Sequence, residues 1–390
     1  MQRRQFAIGM GSLALGASLS GLASGHPLVK GSPEAAAVEA KAKVDAAQAA
    51  LAQAALAKAT AAQAEIVGQA WAAANGPLAK TLGRSDALLV QRGGQTVFEA
   101  YGKDHSPTTR HVSGSMAKSI THALVGIAVA QGQVDIDKPL VVAPNADRRL
   151  TLRTLVTLTD GLKWTDGSYS PTDSDATKML YGVGRLDGAA YTAAKPQAYA
   201  PGTHWNYSTG AFQLAAAELC AHLFPQATQP HDRRAAMADW IRNSLFEPVG
   251  MTGAVAEFDP AGTFYGGSLV YATARDYARF GEFYRNDGVA AGRRILPAGW
   301  VKFARTPTRS PIYGAGFWLE AKTTGADRSL LGGKGPMDAF AAEGHEGQII
   351  LIVPSKAVTV VRLGLSPETD STWAVLGDWF VPIVNAFPNV

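Results

Sequence analysis

The chain has 390 residues, room for one large or two ordinary domains, and 47% hydrophobic against 17% charged residues marks it as globular. Its formal charge of +4 is small and scattered, and no Lys/Arg block with interleaved aromatics occurs, which argues against nucleic acid as a partner. The one cysteine, Cys220, cannot form an internal disulfide and falls on an Ala/Leu helix face that points to core.

Residues 1–25 read MQRRQFAIGMGSLALGASLSGLASG. Arg3 and Arg4, then Phe6 and a weakly apolar run, resemble a twin-arginine export signal, with Ala23 and Gly25 suiting a cleavage site. A general secretory signal or a membrane anchor is the rival reading. Twin-arginine export implies a mature protein that works in the periplasm. No other apolar run is long enough to span a bilayer, so no stable membrane insertion is expected once the signal is removed.

Residues 26–80 form an alanine-rich extension. Alanine is the best helix former, and within 34–75 neither Pro nor Gly interrupts before Gly68, so the segment is helical. Its few large apolar side chains suit a docked helix or a semi-rigid spacer. ALLVQRGGQTVFEAYG (87–102) is two β-like runs around Gly93-Gly94, a hairpin signal. HVSGSMAKSITHALVGIAVAQGQV (111–134) reads as an apolar helix with a polar entrance, stopped at Gly132. LTLRTLVTLTDGLKW then leads into the polar loop TDGSYSPTDSD. Helical patterns follow over 210–245 and 271–288. QIILIVPSKAVTVVRLG (348–364) is a second hairpin, turning at Pro354-Ser355-Lys356, and STWAVLGDWFVPIVNAF is a last helix. Hairpins near both ends bracket a helical middle. The fold class is α+β: an antiparallel sheet built from both chain ends, flanked by helices, with an inserted helical region.

The chemistry starts at Ser115 and Lys118. On a helix, positions i and i+3 share a face, so hydroxyl and amine can meet. The free N–H groups of a helix N-terminus favour an oxyanion there. Serine becomes a nucleophile only when a base takes its proton, and lysine is a base only when burial or another cation lowers its pKa. S-x-x-K is a short motif, and a capping role for Ser113 and Ser115 competes with the catalytic one. Two companions favour catalysis. Tyr207, in YAPGTHWNYSTG, follows a Pro-Gly turn and precedes a helix, a position that projects a phenol into a cleft. His345 and Gly347, in EGHEGQIILIV, stand at a strand entrance where glycine permits close approach and the Gln348 N–H can face a carbonyl.

The order S-x-x-K, Y-S-x and H-x-G resembles the serine β-lactamase and penicillin-binding superfamily. Within it the chain looks most like class C-related esterases and 6-aminohexanoate-dimer hydrolases. SMAKSITHALVGIAVAQGQVDIDKPL, YAPGTHWNYSTG, LFEPVGM, GGSLVYATARDYARFGEFYRNDG, YGAGFWL and GHEGQ occur in the family's order, over about residues 85–388. The resemblance implies a hydrolase domain over 81–390 with a β-lactamase/transpeptidase-like fold. It makes Ser115 the acylated nucleophile, with Lys118 and Tyr207 sharing the proton work. The N–H groups of Ser115 and Gln348 would form the oxyanion hole, beside Gly347. His345 would stand where β-lactamases have the lysine of K-T-G. Tyr169, in GSYSP, sits like a substrate-contacting loop tyrosine of the aminohexanoate hydrolases; an exposed loop aromatic is the competing reading. Trp318 reads better as core than as cleft lining.

Two departures stand out. Y-x-N becomes Tyr207-Ser208-Thr209, which removes an amide, and K-T-G becomes His345-Glu346-Gly347, which removes a cation that greets a β-lactam carboxylate. Both favour an esterase, or an amidase for linear amides, over an efficient β-lactamase. A true β-lactamase or D,D-peptidase is the alternative, as is a non-catalytic penicillin-recognising protein, although a binder has no need of all three of Ser115, Lys118 and Tyr207. The expected partner is a small ester, amide or peptide-like molecule. No G-x-S-x-G elbow occurs, which argues against an α/β-hydrolase, and no cofactor or metal is expected, since HEGQ lacks a second zinc histidine and GGKG lacks the rest of a P-loop.

Overall fold

The computed structural model describes residues 33–167, 172–322 and 329–390; the export segment read at 1–25 and Tyr169 lie outside these. Among the described residues no helix is long and apolar enough to cross a membrane.

The alanine-rich run is one helix, α1 (Pro33–Ala74). The chain divides into two compact units between Ala59 and Thr60. In the first unit, the described side chains from residue 40 on are all exposed. In the second, Gln63, Val67, Ala70 and Ala74 are buried, at the spacing of one helix face, and the Trp379 indole donates to the Ala70 carbonyl at 2.7 Å.

The first hairpin is β1 (Arg84–Arg92) and β2 (Gln95–Tyr101). Its turn, Gly93-Gly94, has both φ angles positive, which glycine adopts without steric cost. A short strand, β3 (His111–Val112), precedes α2 (Met116–Ala130). Then come α3 (Thr209–Leu223), β4 (Val255–Ala256), β5 (Val270–Ala272) and α4 (Ala274–Arg285). The helix expected over 271–288 therefore starts later. Tyr271 and Ala272 pair with Val112 and His111, and Thr273 exchanges capping bonds with Asp276. The C-terminal part is β6 (Trp318–Leu319), β7 (Phe340–Gly344), β8 (Gln348–Val353), β9 (Val358–Leu365) and α5 (Asp370–Asn385).

The main sheet has the order β2-β1-β9-β8-β7-β6, and every adjacent pair is antiparallel. Strands from both ends of the second unit thus lie side by side, as the two hairpins imply. Its two faces are both covered. Leu88, Val90, Ile349, Leu351 and Val360 pack with Trp379 and Phe380 of α5 and with Val67. Leu89, Ile350, Ile352 and Val361 pack with the helices of the opposite face, including Ile120 and Leu124 of α2 and Phe280 of α4. Burial on two sides explains why IILIV (349–353) is apolar throughout rather than alternating. Each fully buried aliphatic side chain is worth about 1.5–3 kcal/mol of transfer free energy.

Candidate active site

Ser115 is the N-cap residue of α2, but its side chain accepts no capping hydrogen bond from the helix. Its Oγ instead accepts from Lys118 Nζ at 2.9 Å. The turn before it is held by Ser113, whose Oγ donates to the Gly114 carbonyl at 2.9 Å and accepts from Val270 N at 3.0 Å. Gly114 has φ +51°, and a Cβ there would stand 2.7 Å from the backbone N of His345. Only glycine lets the start of α2 come this close to the end of β7.

Lys118 is buried. Beyond Ser115, its ammonium donates to Thr209 Oγ1 at 3.0 Å and to the Gly267 carbonyl at 2.9 Å. Burial lowers its pKa to about 8, against a smaller opposing effect of Asp166. Thr209 in turn donates its hydroxyl to Asp166 Oδ2 at 2.8 Å and its N–H to Asp166 Oδ1 at 3.2 Å. The Trp164 indole donates to the same Oδ1 at 2.6 Å.

Tyr207 precedes α3, whose start is capped by Ser208 through Ala211 N at 3.0 Å. Its ring stacks on Trp318 with centroids 5.4 Å apart, and Tyr313 meets it edge-on at 6.1 Å. Lys118 Nζ lies 4.8 Å from the centre of the Tyr207 ring. Trp318 is therefore cleft lining as well as packing, a correction to the core reading.

His345, Glu346 and Gly347 form the tight turn between β7 and β8. His345 lines the cleft, and its Nδ1 stands 3.2 Å from Glu368 Oε1. This pairing raises the imidazole pKa. Gly347 and Gln348 are not among the cleft-lining residues. The missing Gly347 Cβ makes room for the buried Arg362 guanidinium, which would be 2.6 Å away, and Arg362 donates to the Gly347 carbonyl at 2.9 Å. Gln348 is buried at the start of β8, and its Oε1 accepts from Gly364 N at 3.1 Å. The backbone N of His345, three residues earlier, is the one brought against Gly114, the residue before Ser115. Glu346 is not among the cleft-lining residues, and its N–H donates to Glu368.

Ser115, Tyr207, Trp318, Glu343, His345 and Glu368 are among the residues lining one cleft of about 510 Å³. Glu343, half-buried, has its pKa pushed up to about 8, chiefly by burial and further by Glu320 and Glu368. Sequence reasoning missed Glu343, Glu368, Asp166 and the bond of Thr209 to Lys118. Glu343 carried a signal, since it lies two residues before His345 and at the end of a strand. Asp166 and Glu368 carried none, as loop residues distant in sequence. Elsewhere, Asp86, His105 and His111 bring a carboxylate and two imidazoles within 4.8 Å of one another. Arg84 already engages both Asp86 oxygens, at 2.6 and 3.1 Å, so a cation there would compete with it.

The chain is similar to a 6-aminohexanoate-dimer hydrolase of Paenarthrobacter ureafaciens, with 23% identity over 310 residues, 76% of this chain and 73% of that one. Among solved structures it resembles a putative 6-aminohexanoate-dimer hydrolase from Bacillus anthracis, with TM-score 0.64, 18% identity, and coverage of 80% of this chain and 81% of that one. It also resembles a family VIII carboxylesterase, with TM-score 0.60, 15% identity, and coverage of 83% and 97%. Residues 73–372 match the family described as Beta-lactamase. With a hydroxyl, a buried amine and a phenol gathered at one cleft of this fold, the chain is a serine hydrolase and belongs to the Beta-lactamase family.

Proposed function

We propose that the protein cleaves an ester or linear amide through an acyl-enzyme on Ser115. The observation that carries this reading is the 2.9 Å contact between the buried Lys118 amine and the Ser115 hydroxyl. Neutral lysine has two N–H bonds and one lone pair. Thr209 Oγ1 and the Gly267 carbonyl are two acceptors, so they take both hydrogens and leave the lone pair facing Ser115.

Lys118 accepts the Ser115 proton as Oγ bonds to the substrate carbonyl carbon. The carbonyl π electrons move to oxygen, and the Ser115 and His345 backbone N–H groups stabilise that oxyanion. As the carbonyl re-forms and the bond to the leaving oxygen or nitrogen breaks, Tyr207, in the cleft beside Lys118, hands its proton to the departing alcohol or amine and is reprotonated by Lys118, which is neutral again. Lys118 then takes a proton from water as it attacks the acyl carbonyl, and returns it to Ser115 Oγ as the acyl–oxygen bond breaks and the acid leaves.

Selectivity follows from the lining. Among the described residues no lysine or arginine lines the cleft, whereas Glu343, Glu368 and Asp370 do. Three carboxyl side chains stand against one imidazole, His345, itself engaged by Glu368, and this balance favours neutral or amine-bearing esters and amides over an anionic β-lactam.

The test is covalent labelling with a fluorophosphonate, beside hydrolysis of p-nitrophenyl butyrate, in wild type and Ser115→Ala. Label and turnover in wild type, both absent from Ser115→Ala, are expected. A wild type with neither would refute the reading.

A further inference from the structure

We propose that Asp166, acting through the Thr209 hydroxyl, is a positioning residue that aims Lys118 at Ser115. This rests on the reading of Lys118 as the base of Ser115.

The direction of each hydrogen bond is dictated by chemistry. An ionised carboxylate only accepts, so the Thr209 hydroxyl must donate its one proton to Asp166 Oδ2, 2.8 Å away. Its lone pairs are then left for Lys118 Nζ at 3.0 Å. Without Asp166, the same hydroxyl could turn its proton toward Lys118 and compete for the lone pair that Ser115 needs. Asp166 is itself held from behind. Trp164 Nε1 donates to Oδ1 at 2.6 Å, and the Ser174 hydroxyl donates to the Asp166 carbonyl at 2.5 Å. The loop is thus pinned at both ends of the residue that polarises Thr209.

Asp166 has a second effect, through its charge. Burial pushes Lys118 down, and Asp166 holds it up. The other groups facing Lys118 are neutral: the Ser115 hydroxyl on its own helix, the Tyr207 ring and Thr209 hydroxyl around the start of α3, and the Gly267 carbonyl before β5. The departure at Thr209, where the resemblance leads one to expect an amide, thereby acquires a reason. A threonine with a carboxylate behind it is a hydroxyl of fixed polarity.

Two measurements test the relay. The first titrates Lys118 directly, by the 13Cε shift of protein labelled with 13C-lysine, the resonance being assigned by its loss in Lys118→Ala. Asp166→Asn is expected to lower the Lys118 pKa by roughly half to one unit, the size expected for one nearby partly screened charge. The second compares kcat and KM. Thr209→Val is expected to lose about 10–100-fold in kcat with KM changed less than about threefold, while Thr209→Ser, which keeps the hydroxyl, stays within about threefold of wild type. An unchanged Lys118 pKa in folded Asp166→Asn overturns the proposal. So does a Thr209→Val variant as active as Thr209→Ser. If Asp166→Asn melts at the assay temperature, the Thr209 pair decides alone. Absence of any Ser115 label in wild type counts against the acyl-enzyme, and the NMR titration still reads the relay.

Discussion

Lys118 Nζ and Ser115 Oγ meet at 2.9 Å across the first turn of α2, in a pocket where the lysine is buried and the serine faces a cleft. The helix supplies the i, i+3 spacing. Burial supplies the depressed pKa, and the cleft supplies room for a carbonyl. A cap needs none of these, and Ser115 makes no side-chain cap bond.

Activity should depend on pH through this amine. In the proposed mechanism the reactive form is neutral Lys118, whose pKa burial lowers to about 8. kcat/KM for p-nitrophenyl butyrate should therefore fall about tenfold per pH unit below that value and level off above it. Lys118→Ala should lose roughly 10²–10⁴-fold, and Lys118→Arg should not recover it, since a guanidinium stays protonated. A profile flat from pH 6 to 9 would exclude Lys118 as the base.

Glu343 should make the cleft discriminate against anions as pH rises. Its pKa is pushed up to about 8, so it is largely neutral at pH 7 and ionises above that value. KM for a carboxylate-bearing aryl ester should climb several-fold between pH 7 and 9, roughly what a nearby partly screened charge contributes. A neutral ester should show no such rise, and Glu343→Gln should remove it. Steady-state kinetics with the matched ester pair checks this.

Trp318→Ala should damage catalysis more than folding. Its ring stacks on Tyr207 at 5.4 Å and is half-buried. A loss of about 10-fold in kcat/KM, with a thermal midpoint lowered by only a few degrees, is expected for an aromatic contact worth about 0.5–1.5 kcal/mol. Melting curves run beside kinetics distinguish this from general destabilisation.

Gly347→Ala should destabilise the fold. The position has φ +76°, and the added Cβ would stand 2.6 Å from Arg362 Nη1, in a buried network. Left-handed backbone and overpacking together should cost roughly 2–4 kcal/mol, read as a lower denaturant midpoint at unchanged slope. Gly93→Ala, at a hairpin turn with open space around the new methyl, should cost less.

The sequence by itself determined the α+β class, the two hairpins and the pairing of Ser115 with Lys118 at the start of a helix. Those signals are local: alternating or continuous apolar runs, a Gly-Gly turn, a three-residue spacing on a helix. Tyr207 was legible for the same reason, since a Pro-Gly turn before a helix fixes where its side chain emerges. Only the tertiary structure decided what stands next to the start of α2: the backbone N of His345 packs against Gly114, an outcome of how α2 meets the end of β7. It also decided what stands behind Lys118. Thr209 and Asp166 are 43 residues apart and converge because two loops fold over the start of one helix. Polar contacts of that kind depend on packing at a few tenths of an ångström, and no periodicity in a sequence encodes them.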